Sequence, residues 1–330
     1  MSARPARRTA LFALALALGA AAVACGSRPD VITKTGADRK LTDTEIDADP
    51  LALLPAGAIG VAYLDAKKLF ASPFGQRLFT VAERRMPLPP SAGFDPRRDL
   101  EAMWAGFYSM QGADVAGVAV GTFDRQKIEA AADGTQTTPL GVPLVKTEYS
   151  GRVLYTAGEV GFSVLTARTA LFGNDVGIRR SIDRIEEGRV RKQLPAALAK
   201  LLAAPSAPLV AGADFTSNPV PDAARQELGF LDGVRTLAVL GNFEEPGLNL
   251  AGTLSYDTPE AATRGAQNLV AFRGTLERYA PFLALLGIPQ PIRRLEAHAN
   301  TNDVPFVMAV DGAAVAVLLD KAQELLTQKR

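Results

Sequence analysis

Val234-Arg235-Thr236-Leu237-Ala238-Val239-Leu240-Gly241-Asn242-Phe243, then Glu244-Glu245-Pro246-Gly247, then Leu248-Asn249-Leu250-Ala251-Gly252-Thr253-Leu254-Ser255-Tyr256 is two β-rich runs split by a turn. Parallel strands need a crossover of a dozen residues or more, so a four-residue link predicts an antiparallel pair. Asp257 follows as a helix cap with Pro259 just inside the helix start, and the helix runs to about Leu276. Strand, turn, strand, capped helix is therefore the local grammar. A second hairpin follows, Arg293–Ala299 and Pro305–Val310 around Asn300-Thr301-Asn302-Asp303, and the chain closes with an amphipathic helix over Ala314–Thr327.

The same grammar occurs upstream. Ile59–Leu64 reads as a core strand and Pro73–Glu83 as a helix. Leu100–Met110 and Val115–Phe123 read as strands joined at Gln111-Gly112-Ala113-Asp114, with Asp124 capping a helix over Arg125–Ala132. Leu144–Tyr149 and Val153–Ala157 flank the hairpin signal Ser150-Gly151-Arg152. Val160–Leu165 and Ala170–Phe172 follow as strands, then a helix over Ile178–Glu187 with Ile178, Ile182 and Ile185 inward. Two fragments repeat: Ala58–Asp65 parallels Pro208–Phe215, and Val120–Asp124 parallels Gly252–Asp257. The expectation is an α+β fold of two duplicated units, 51–188 and 205–330, each a largely antiparallel sheet with helices packed on one face. Val190–Leu202 reads as the helix within the connection 189–204.

The N-terminus carries a different signal. Arg4, Arg7 and Arg8 form a basic region, and Thr9–Val23 is uncharged and apolar. This is the layout of a secretory leader. At about 15 residues the apolar run is short of the roughly 20 that span a bilayer. Ala22-Val23-Ala24-Cys25 resembles the lipobox of bacterial lipoproteins, with alanine at 22 where leucine is commoner. The resemblance covers about the first 26 residues. It implies a signal peptide over 1–24, cleavage immediately before Cys25, a lipid on the Cys25 thiol and an acylated amino group. Gly26 stands where an aspartate would imply inner-membrane retention, so the resemblance implies an outer-membrane lipoprotein in a cell that has one. Residues 25–50 would be the lipidated cysteine and a flexible tether, being charged and without periodicity.

Composition narrows the function. Cys25 is the single cysteine, which excludes an intramolecular disulfide framework. Cleavage before it removes three arginines and no acid, leaving 33 basic and 35 acidic residues. A body so near neutrality predicts no nucleic-acid footprint. His298 is the only histidine, so no triad, histidine pair or HExxH zinc site can be assembled, and alternation along Leu295–Asn300 turns it toward solvent. The sequence carries no P-loop and no Gly-x-Ser-x-Gly elbow. No catalytic residue, cofactor or metal site is predicted. The partners expected are the membrane, through Cys25, and another envelope protein or an apolar ligand such as a lipid. The contact region is placed at Phe282, Leu285, Leu286 and Ile288, where large apolar groups exceed what one helix end needs. The leading reading is a non-catalytic lipid-anchored envelope protein of structural or protein-binding role, and the other is a carrier or sensor of an apolar ligand.

Overall fold

Alternating apolar residues and short turns produce antiparallel ladders in each half of the chain. In the computed structural model, residues 41–83, 86, 88–108, 114–132, 138, 142–203, 205–278 and 290–327 are described. They divide into two compact units. One comprises 41–67 with 82–203, the other 68–81 with 205–327.

The first unit begins with helix α1 (Asp43–Ala48) and a 3-10 turn over Pro50–Leu53. Strand β1 (Gly60–Asp65) leads into α2 (Ala66–Ala71) and α3 (Pro73–Ala82), most of whose residues belong to the second unit. A 3-10 turn over Pro90–Ala92 and the short α4 (Pro96–Asp99) precede β2 (Leu100–Phe107) and β3 (Val115–Gly121). Then come α5 (Arg125–Ala131), β4 (Val145–Tyr149), β5 (Arg152–Ala157), β6 (Val160–Val164), β7 (Thr169–Gly173), α6 (Asp175–Glu186) and α7 (Ala196–Ala203). The sheet order is β1-β2-β3-β7-β6-β5-β4, and its pairs are antiparallel. Asp124 caps α5 as expected, accepting from the Lys127 N–H at 3.1 Å. The β4–β5 turn places both Ser150 (φ 49°) and Gly151 (φ 75°) in the left-handed region, which is what a two-residue hairpin requires.

The register lines up Val118, Leu171 and Ser163 across β3, β7 and β6 on one face. Helix α6 buries Ile178, Ile182 and Ile185 beside β3, β6 and β7. Each such side chain stabilises by about 1.5–3 kcal/mol when removed from water.

The second unit runs β8 (Leu209–Asp214), α8 (Asp222–Glu227), a 3-10 turn over Gly229–Leu231, β9 (Val234–Asn242), β10 (Gly247–Tyr256), α9 (Pro259–Arg278), β11 (Ile292–Ala297), β12 (Asp303–Asp311) and α10 (Gly312–Thr327). Its sheet order is β8-β9-β10-β12-β11, again antiparallel. Ala262, Ala266 and Leu269 of α9 share a helical stripe and a core with Leu254, Tyr256, Leu295 and Val304.

The α+β class and antiparallel sheets are as expected, and the order β8-β9-β10-β12-β11 reproduces β1-β2-β3-β7-β6. One correspondence differs. By sheet position the second unit's terminal hairpin, β11–β12, answers to β6–β7, and β4–β5 is an additional hairpin at the edge of the first.

Three local expectations are corrected. The helix read over Val190–Leu202 is α7, starting only at Ala196, because Pro195 pushes the residue before it out of helical backbone. The cap of α9 is Thr258, whose hydroxyl accepts from the Ala261 N–H at 3.2 Å; Asp257 instead pairs with Arg235. Within the stretch read as tether, 43–48 is helical. Thr42 and Glu45 form a reciprocal capping box there, and Ile46 is fully buried.

Candidate functional site

Cys25 and the stretch holding Phe282, Leu285, Leu286 and Ile288 lie outside the described residues. His298 is described and exposed, just beyond the end of β11, as its alternation predicts. Among the described residues, no helix is long and apolar enough to cross a membrane, and no group of three or more His, Cys, Asp or Glu could hold a metal ion.

The second unit has a cleft of about 150 Å³ where β8 ends and β9 begins. Phe215 is fixed by its N–H bond to the Arg235 carbonyl at 2.7 Å. Asp214 holds the following turn, accepting from the Thr216 N–H at 3.0 Å and its hydroxyl at 2.5 Å. Phe215, Pro219, Val220, Leu231 and Val234 give the cleft apolar walls, with Arg225, Arg235 and Asp257 among its polar lining. The two guanidiniums are neutralised: Arg225 by Asp222 and by Asp232 at 3.3 Å, Arg235 by Asp257 at 2.7 Å. A space of this size holds about one benzene-sized group, well below the roughly 300–1,000 Å³ of drug-sized sites. The cleft can seat a single apolar side chain; it offers no unpaired charge for a charged substrate. None of its lining stood out in the sequence as a site, because Arg225 read as part of a short helix, Arg235 as part of a strand and Asp257 as a helix cap.

No family model matches the chain, and none of the curated proteins matches it. Solved structures that resemble it include two crystal forms of TP0453. Crystal form IV of TP0453 superposes with a TM-score of 0.50 at 9% identity, covering 84% of this chain and 99% of that one. Crystal form III of TP0453 gives 0.50 at 12% identity, covering 82% and 98%. At these identities the likeness is one of fold.

A second surface belongs to the first unit. On β2, Met103, Ala105 and Phe107 point away from the face that carries Trp104. Register sets them opposite Leu64, Ala62 and Gly60 on β1 and Ala119, Gly117 and Val115 on β3. Phe172 of β7 lies over Gly117. Phe107 is 41% exposed, and Leu64, Met103, Ala105 and Phe172 are half-buried. These five, on β1, β2 and β7, form an apolar band with Val115, Gly117 and Ala119 of β3 between them.

Proposed function

We propose that this chain is a lipid-anchored envelope protein, held through Cys25 at the outer membrane, that acts without catalysis by binding another envelope protein. Two things support the reading. The leader resembles that of bacterial lipoproteins, and the first unit presents the half-exposed apolar band of Leu64, Met103, Ala105, Phe107 and Phe172. The band carries the binding half of the proposal, because contiguous exposed apolar surface marks interaction sites. The 150 Å³ cleft has room for a single side chain rather than a lipid chain, which supports a protein partner.

The anchor is tested by the intact mass of protein extracted from its own membranes. The expected chain starts at Cys25 and carries acyl mass, and Cys25→Ser releases the body from the membrane fraction. A mature chain starting elsewhere, without acyl mass, refutes the anchor. The binding half is tested by a photo-crosslinking residue at Phe107. One defined protein adduct is expected, lost in Met103→Glu; adducts to lipid alone would favour the carrier reading instead.

A further inference from the structure

Helix α6 and its C-cap carry four carboxylates, and every one is already engaged. Asp175 pairs with Arg179 at 2.7 Å, Asp183 accepts from the Tyr149 hydroxyl at 2.9 Å, Glu186 pairs with Arg152 at 3.0 Å, and Glu187 pairs with Arg189. The two remaining arginines of the helix are held by neutral acceptors. Arg184, only 3% exposed, donates to the Gln193 side-chain oxygen at 2.5 Å and to the carbonyls of Arg191 at 2.7 Å and Ala52 at 3.4 Å. Arg180 donates to the Ala56 carbonyl at 3.2 Å, and its guanidinium lies 5.0 Å from the centroid of the Tyr108 ring. Among the described residues, no ion pair includes either. An uncompensated buried charge costs several kcal/mol, so a guanidinium in this position calls for an anion.

Three donors nearby are also unsatisfied. The Arg184 Nε, the hydroxyl of the fully buried Ser181 and the Tyr108 hydroxyl are buried without a partner. Gly177, Ser181 and Arg184 fall on one stripe of α6. The stripe begins against β3, where a Cβ on Gly177 would come 2.2 Å from the Val115 carbonyl oxygen. Tyr108 is hydrogen-bonded beside that point, its N–H to the Asp114 carbonyl at 3.0 Å, and its hydroxyl folds back over Gly106. Arg180 and Arg184 both act electrostatically on the Tyr108 hydroxyl, and burial keeps the phenol protonated and therefore a donor.

The geometry points to an anion site between α6 and Tyr108, in which Arg180, the Arg184 Nε and the hydroxyls of Tyr108 and Ser181 hold one phosphate group. Every member of the set can donate, and the set carries two positive charges. That matches a phosphate, with up to about two negative charges and three or more acceptor oxygens, better than a carboxylate with two. The phosphate can be a free ion or the terminal phosphomonoester of a lipid headgroup such as phosphatidic acid. The inference is independent of the lipid on Cys25 and stands or falls without it.

The test uses the full-length chain carrying Cys25→Ser. Its denaturation midpoint is followed against inorganic phosphate, with chloride at matched ionic strength as the control. A saturable rise with phosphate alone is expected. Tyr108→Phe should not lower the midpoint without phosphate, since the hydroxyl has no protein partner, yet it should weaken phosphate by about tenfold, equivalent to about 1.4 kcal/mol. Arg184→Met, which keeps the stem and removes the charge, should abolish the rise. Flotation with phosphatidic acid against phosphatidylcholine vesicles separates the sources. Preference for the former, competed by phosphate and lost in Tyr108→Phe, assigns a headgroup; saturation by phosphate with no vesicle preference assigns the free ion. A phosphate response equal to that of chloride, or one unchanged in both variants, overturns the site.

Discussion

Gly265 and Gly274 occupy the same helix, α9, and meet opposite surroundings. A Cβ on Gly265 would lie 2.2 Å from the Tyr256 hydroxyl oxygen and 2.3 Å from its Cζ, whereas nothing lies within 4 Å of one on Gly274. Tyr256 cannot swing aside: it is 3% exposed, and its hydroxyl donates to the Phe230 carbonyl at 2.6 Å. Burial pushes that phenol up to about 12. Gly274→Ala should therefore stabilise by about 1 kcal/mol through helix propensity. Gly265→Ala gains the same propensity but overpacks the core, so it should destabilise by about 1–3 kcal/mol. Urea denaturation of the two variants, with opposite signs expected, checks the argument. Neither sign is visible in the sequence, where both are glycines within one amphipathic helix. Arg184 shows the same limit. Its neighbours Ile178, Ile182 and Ile185 announce an inward stripe by their spacing, but an arginine flanking such a stripe reads as solvent-facing until tertiary contacts bury it.

At the scale of elements, order and type were legible because apolar periodicity and turn chemistry agree along most of the chain. The β4–β5 and β9–β10 hairpins and the Asp124 cap follow from residue types alone. Short helices did not stand out: α1, α2 and α4 span six, six and four residues, too few for a periodic stripe. The capping box of α1 was present as Thr42…Glu45, but the charged residues around it outweighed that signal. At α10 the junction is held by one carboxylate. Asp311 accepts from the Ala314 N–H at 2.8 Å with one oxygen and from Arg293 at 2.9 and 2.7 Å with the other, tying β11, β12 and the start of α10 together. Burial alone would raise this carboxyl; the Ala314 N–H and Arg293 outweigh it and hold it below the usual carboxylate range. A carboxyl depressed in the folded state stabilises above its unfolded pKa of about 3.9, and the contribution is lost as pH falls through the lower folded value. Asp311→Asn keeps an oxygen for the Ala314 N–H but loses the charge that pairs with Arg293, so it should cost up to about 1 kcal/mol at neutral pH. Below about pH 4 the gap between wild type and variant should narrow. Denaturation midpoints across that range measure both.

At the scale of the whole molecule, sequence order and structural membership part company at 68–81. That segment lies between β1 and β2 of the first unit, yet its contacts group with 205–327. Phe74 shows why. It is 4% exposed, stacks on Phe243 just past β9 with ring centroids 6.1 Å apart, and comes close to Gly312 at the start of α10. A linear reading assigns residues to the unit whose strands surround them and has no means of seeing an aromatic pair separated by well over a hundred positions. The consequence is that a cut before 205 does not yield a complete second unit. Phe74→Ala should remove about 3–5 kcal/mol of packing. The loss should register at residues far from 74 in sequence. Amide exchange should quicken around 241–243 and 312–315, while β3, β7 and α6, whose core does not include Phe74, keep their protection. Equal quickening in both units would mean that they unfold as one cooperative body. Quickening confined to 68–81 would mean that the segment is peripheral to the second unit rather than part of its core.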